Sequence, residues 1–142
     1  MLSIVATPIG NLEDITLRAL RVFKEADYIL CEDTRVAGKL LSHYEIKKSL
    51  KRYDSHTSDK VHEDIISDLL DSKKIVLISD AGTPGVSDPG VLLIQQARSA
   101  GANIEVIPGP TAVTSTVSLA GVSGNQFQFL CFVPQKKGRE TF

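Results

Sequence analysis

Four times in this chain a short apolar run, uncharged in three of the four, breaks off into a loop rich in glycine, proline, aspartate and hydroxyl residues. The runs are residues 2–6, 28–31, 75–78 and 104–107; the loops are residues 7–12, 32–35, 79–90 and 108–112. After each loop the apolar residues recur at helical spacing. A short run without charge suits a strand buried on both faces, and strands that alternate with helices give a parallel sheet covered on both sides. A weaker strand is expected near Leu50 and Tyr53, on the edge of that sheet, and another at residues 127–133, where Phe127, Phe129 and Cys131 alternate with Gln126, Gln128 and Leu130. The fold class is therefore α/β, with a mostly parallel five-stranded sheet and helices on both faces.

The helices carry their own signals. Asp14 or Thr16 is placed to cap the first, whose expected inner face holds Leu17, Leu20 and Phe23. Leu40 and Leu41 point inward from a short second helix. Ser58 caps a third, with Val61, Ile65 and Leu69 as its apolar stripe and His62 on its solvated side. A helix over residues 91–100 ends at Gly101, and one over residues 111–120 ends at Gly121.

The loop at residues 79–90 is the longest of the four. A plain strand-to-helix turn needs about two to six residues; this one has twelve, among them Gly82, Gly85, Gly90, Pro84 and Pro89. Glycines let backbone approach a ligand, and prolines stiffen the loop so that little order is lost on binding. In open α/β sheets ligands bind at this carboxyl edge. Glu32, Asp33 and Arg35 add two carboxylates and a guanidinium at a second strand end.

Composition narrows the chemistry. The chain has 142 residues and a net charge of −1, so any contact with nucleic acid must come from local patches. Lys47, Lys48, Lys51 and Arg52 form one, and Lys136, Lys137 and Arg139 another. Cys31 and Cys131 each lie in an apolar stretch, and read as two buried free thiols of a reducing, cytoplasmic compartment. No apolar run approaches the length of a membrane span. There is no G-x-G-x-x-G, no phosphate-cradling G-x-x-x-x-G-K-[ST], no G-x-S-x-G and no H-E-x-x-H. His43, His56 and His62 are scattered without metal-ligand spacing. His56, in a loop beside the expected cleft, is the histidine placed to touch substrate.

The loops also carry a resemblance. Thr7-Pro8-Ile9-Gly10-Asn11-Leu12-Glu13-Asp14-Ile15-Thr16, Cys31-Glu32-Asp33-Thr34-Arg35, Ser79-Asp80-Ala81-Gly82-Thr83-Pro84, Ser87-Asp88-Pro89-Gly90, Pro108-Gly109-Pro110-Thr111-Ala112 and Phe132-Val133-Pro134-Gln135-Lys136-Lys137-Gly138 follow in that order. Together they resemble the tetrapyrrole methylase family, and within it the branch that acts on small-subunit ribosomal RNA. The resemblance implies S-adenosyl-L-methionine as cofactor. It implies 2′-O-methylation of a cytidine ribose in 16S rRNA of the small ribosomal subunit, and a homodimer. The wider family methylates carbons of corrin and porphyrin rings, so a tetrapyrrole C-methyltransferase remains the alternative, beside a non-catalytic single-domain fragment.

By the same resemblance Pro8, Ala81, Gly82, Thr83, Val86, Thr111 and Ala112 bind the cofactor. Asp33, Arg35 and Asp80 are the catalytic candidates, with Glu32 a further acid or base. Arg35, His56, Lys136 and Lys137 are candidates for contact with RNA. Family members carry a second α/β domain, with the cofactor in the cleft between the two. Residues 1–125 are accordingly expected to form the N-terminal α/β domain, and residues 126–142 to begin the connection to a second one that this chain lacks.

Overall fold

The computed structural model describes residues 1–121 and 123–132. In chain order the elements are β1 (Leu2–Val5), α1 (Leu17–Glu25), β2 (Tyr28–Cys31), α2 (Thr34–His43), β3 (Ser49–Arg52), α3 (Asp59–Leu70), β4 (Ile75–Leu77), α4 (Val91–Ser99), β5 (Ile104–Ile107) and α5 (Ala112–Leu119). Residues 1–111 form one compact unit, and residues 112–142 a second, separate one that includes α5.

The five strands form one sheet in the order β3-β2-β4-β1-β5. Neighbouring strands pair in parallel, with Ile4 opposite Leu77, Val5 opposite Ile107, and Cys31 opposite Arg52. The period-two alternation of the strands sorts the core into two layers. Val5, Ile29, Cys31, Val76, Ile78 and Ile107 face Ala19 and Phe23 of α1 and Ala37, Leu40 and Leu41 of α2. Leu2, Ile4, Tyr28, Leu30, Ile75 and Leu77 face Ile65 and Leu69 of α3 and Leu93 and Ala97 of α4. Phe23 is fully buried, a contribution of about 1.5–3 kcal/mol relative to an exposed ring.

The path of the chain follows from this sorting. From β1 it moves outward to β2 and then β3, with α1 and α2 on one face. It then returns to β4, between β2 and β1, and crosses to β5, with α3 and α4 on the other face. Strand crossovers keep one hand, so reversing direction along the sheet exchanges the covered face. The loop after β4 therefore leaves toward one face, while the loops after its neighbours β1 and β2 leave toward the other. That divergence opens a crevice beyond the carboxyl ends of the central strands.

Several sequence expectations are corrected here. Thr16 caps α1, its hydroxyl accepting from Ala19 N at 3.1 Å, but Leu17 is 85% exposed. The inner face of α1 is instead Ala19 and Phe23, with Leu20 and Val22 partly buried. On α3 the buried residues are His62, Ile65 and Leu69; Val61 is outside and His62 inside, the reverse of the expected arrangement. Burial of the imidazole is tolerated because α4 supplies a partner. His62 Nδ1 donates to Gln96 Oε1 at 2.8 Å, and its other ring nitrogen lies 3.5 Å from the Tyr53 hydroxyl. Ser58 holds the N-cap position of α3 without a side-chain bond. Cys31 is buried, but Cys131 is exposed. The expected strand at residues 127–133 is absent over 127–132. Alternation alone does not make a strand without a neighbour to pair with, and Phe127, Phe129 and Phe132 lie exposed. Val133 lies outside the described residues.

Gly90 ties the long loop to the core. It has φ +129°, and a Cβ there would lie 2.7 Å from Leu77 Cδ2 on buried β4. Gly90→Ala therefore demands both a strained backbone and a shift of a packed leucine. It is expected to cost about 2 kcal/mol, seen as a lower thermal midpoint by circular dichroism with the β-sheet signal retained below it.

Candidate active site

The crevice is closed at its base by main chain. Thr7 N donates to Gly82 O at 2.9 Å and Gly82 N to Thr7 O at 3.0 Å, an antiparallel bridge just past the ends of β1 and β4. Gly82 sits at φ +80°, where a Cβ would come within 3.5 Å of Ile9 Cγ2. The bridge therefore needs a residue free to take positive φ. Thr7 is fully buried, and its hydroxyl reaches Ser79 O at 3.3 Å. Pro8 is buried beside it. Three of the predicted cofactor residues, Pro8, Ala81 and Gly82, are thus brought together at one point of the sheet edge.

The rest of that predicted set is dispersed. Thr83 lines a second hollow with Pro84, Ile4, Ile94, Arg98 and Val106, on the α4 side of the sheet. Val86 is exposed at 47%. Thr111 ends the first unit, and Ala112 begins the second.

Between the loops after β2 and β4 lies a cavity of about 470 Å³, lined by Glu32, Asp33, Thr34, Arg35, Arg52, Asp54, His56 and Asp80. All three predicted catalytic residues, Asp33, Arg35 and Asp80, meet there. So does His56. Lys136 and Lys137 lie outside the described residues. Arg52 entered the sequence reading only as part of a basic stretch, and Asp54 did not enter it as a site residue. The signal was available: Arg52 and Asp54 flank the end of the edge strand, on the same sheet edge as the other loops.

The order within the cavity comes from Asp33. It is the N-cap of α2, one residue ahead of the helix start, and its Oδ1 accepts from Arg35 N at 2.8 Å. The same carboxylate takes the Arg35 guanidinium, Nε at 3.0 Å and Nη2 at 2.7 Å. Cap and ion pair together hold the Asp33 carboxyl well below the usual carboxylate range, the Arg35 guanidinium first among the causes. Asp33 N in turn donates to Asp80 Oδ1 at 3.2 Å, which ties the β2 loop to the β4 loop.

A second pair faces the first. Arg52 Nε lies 2.7 Å from Asp54 Oδ2, and Asp54 Oδ1 accepts from His56 N at 2.8 Å. That backbone bond, ahead of the Arg52 charge, lowers the Asp54 carboxyl. Glu32 behaves oppositely. Burial pushes its carboxyl up, and the nearby charge of Asp88 adds to the effect. Asp88 is itself pushed up, by burial first and by Asp80 after it, against a lowering hydrogen bond from Ser79. The site thus holds carboxylates of two kinds: Asp33 and Asp54, lowered and paired with arginines, and Glu32 and Asp88, raised by burial.

The family model described as Tetrapyrrole (Corrin/Porphyrin) Methylases matches residues 1–141. A curated relative in Thermotoga maritima, named ribosomal RNA small subunit methyltransferase I, is 46% identical over 97% of this chain and 62% of its own length. One of the same name in Neisseria meningitidis serogroup B is 47% identical over 96% of this chain and 47% of its own length. The chain thus spans roughly half the length of the curated relatives it matches. Among solved structures, diphthine synthase superposes with a TM-score of 0.72 at 20% identity, covering 89% of this chain and 51% of that one. The uroporphyrin-III C-methyltransferase of Thermus thermophilus gives 0.63 at 24% identity, covering 88% and 53%. At these identities the two structures speak for the fold.

The coupling of Asp33 to Arg35 has a direct readout. In Arg35→Gln the Asp33 carboxyl is expected to titrate at higher pH, toward the ordinary carboxylate value near 3.9, because the guanidinium is gone and only the capping bonds remain. A carboxyl-carbon NMR titration of the two proteins measures the shift; an unmoved titration shows that capping alone depresses the group.

Proposed function

The chain belongs to the tetrapyrrole (corrin/porphyrin) methylase family, and from that premise we propose that it serves an S-adenosyl-L-methionine-dependent methyltransferase whose substrate is ribosomal RNA of the small subunit. The naming of the curated relatives, at 43–47% identity, carries the choice of RNA over a tetrapyrrole. On this reading the methyl acceptor is the ribose 2′-oxygen of a cytidine in 16S rRNA. The protein works on the small ribosomal subunit in the cytoplasm, as a homodimer. No helix among the described residues is long and apolar enough to cross a membrane.

The crevice suits that cofactor. Its loops carry no lysine-bearing phosphate cradle; they offer close main chain at Thr7 and Gly82 and the carboxylates of Glu32 and Asp80. A cation that bears an amino-acid tail and a nucleoside is matched by that set. Pro8, Ala81 and Gly82 would hold it, with Thr83, Val86 and Thr111 as further contacts. When bound, the cofactor supplies an electrophilic methyl group on sulfur.

The remaining work falls to the protein's own residues. Asp33 is committed to the α2 cap and Arg35, so it positions and does not exchange protons. Arg35 presents its outer face to the substrate backbone, beside His56. Asp80 holds the Asp33 loop in register and adds negative charge near the cation. Glu32, with its raised carboxyl, takes the proton of the ribose hydroxyl. A base of that kind works deprotonated, so activity is lost as pH falls through the raised value. The acid limb then lies above that of an ordinary carboxylate, and Asp33 contributes no limb of its own.

The test uses the full-length protein with methyl-labelled S-adenosylmethionine, offered small-subunit rRNA, assembled small subunits and a tetrapyrrole precursor side by side. Label in alkali-resistant ribose is the expected result, and label only in the tetrapyrrole overturns the substrate. Glu32→Gln is expected to lower kcat by about 100-fold or more and to remove the acid limb.

A further inference from the structure

The cavity holds two arginines, and each is held from behind by an aspartate. Arg35 is bound through Nε and Nη2 to Asp33, and Arg52 through Nε to Asp54. In both pairs the carboxylate is inside and the guanidinium outside: the side chains of Asp33 and Asp54 are 28% and 19% exposed, those of Arg35 and Arg52 87% and 74%. Neither arginine's Nη1 has a recorded partner among the described residues, so each fork keeps donors facing outward. The two pairs emerge from neighbouring strands at the same level, since Cys31 pairs with Arg52 and Tyr53 N donates to Cys31 O at 2.9 Å.

Asp54 organises more than its arginine. Its main-chain N–H donates to Thr57 Oγ1 at 2.8 Å, and its carboxylate takes His56 N. The segment from Arg52 to Thr57 is thereby folded around one carboxylate, with His56 exposed at the cavity rim. A bare surface salt bridge contributes little to stability. Two such pairs on one cavity, each with its cation outward and its fork partly unused, are better suited to ligand binding. Planar, pre-oriented guanidiniums recognise phosphate in two-point fashion. Each Arg–Asp pair is also neutral overall, so the negative field of Glu32 and Asp80 stays inside while the rim meets the ligand with donors.

We propose that Arg52 and Arg35, fixed by Asp54 and Asp33, form a paired clamp for the phosphodiester backbone of the substrate strand, with Asp54 as the positioning residue that sets Arg52 and the His56 loop together. This rests on the reading of the substrate as RNA. The clamp orients the strand over the crevice and carries no base specificity, as expected of phosphate contacts.

The experiment measures binding of small-subunit rRNA to the full-length protein over a range of potassium chloride concentrations, and binding of S-adenosylhomocysteine in parallel. Arg52→Gln is expected to weaken RNA binding about tenfold at low salt and to flatten the plot of log affinity against log salt by about 0.7–0.9. Arg52→Lys should restore the salt slope but not the full affinity, because charge returns without the fork. Asp54→Asn should weaken RNA binding with the salt slope unchanged, because Arg52 stays charged but loses its seat. In all three variants affinity for S-adenosylhomocysteine should stay at the wild-type value. Unchanged RNA affinity and slope in Arg52→Gln overturn the clamp. So does a loss of S-adenosylhomocysteine affinity in that variant, which would assign the cavity to the cofactor instead. If the wild-type protein binds a tetrapyrrole and no RNA, the substrate reading fails first and the phosphodiester goes with it.

Discussion

The position of β4 governs the rest of the molecule. It enters the sheet last but one, between β2 and β1, and its helix must leave toward the face opposite that of α1 and α2. The loops on either side of it therefore part, and the chain needs a long, conformationally permissive segment to make the exit. Residues 79–90 supply it, with Gly82 pairing to Thr7 at one end and Gly90 seated on Leu77 at the other. A crevice at this point follows from the connectivity before any side chain is considered.

Charge is then distributed by local structure. Asp33 is required by α2 as a cap, and that role alone would draw a carboxylate to the spot. Placing Arg35 two residues later lets one carboxylate serve helix and guanidinium together. Arg52 and Asp54 repeat the device from the edge strand. The pairs cancel their own charge, so the field inside the crevice is left to Glu32, Asp80 and Asp88. That field suits a cationic cofactor, while the rim keeps donors for a polyanion. A single edge thus carries groups of opposite sign, which is what the proposed pair of ligands needs.

The sheet and its loops were legible in the sequence because apolar runs without charge have few alternatives to a buried strand. The meeting of Asp33, Arg35, Asp80 and His56 in one cavity was legible because glycine, proline and acidic residues collect at strand ends. What escaped did so for physical reasons. His62 sits on the apolar side of α3, but its burial depends on Gln96 from a helix thirty-odd residues away, which no local pattern reveals. Leu17 belongs to the apolar set of α1 by spacing, yet as the first residue of that helix it lies beyond the reach of the sheet. The segment around Phe129 alternates along its sequence and forms no strand pairing among the described residues. Arg52 was read as one of four basic residues; only the register of β3 against β2 sets it beside Asp33 and Arg35.

The central claim is that ligand chemistry gathers beyond the carboxyl ends of β1, β2 and β4. Amide hydrogen exchange with and without saturating S-adenosylhomocysteine tests it most directly. Slower exchange at residues 7–10 and 80–86 is the predicted result, with the opposite edge of the sheet around Ser3 and Lys74 unaffected. Protection confined to that opposite edge, or to the groove between α3 and α4, would contradict the account.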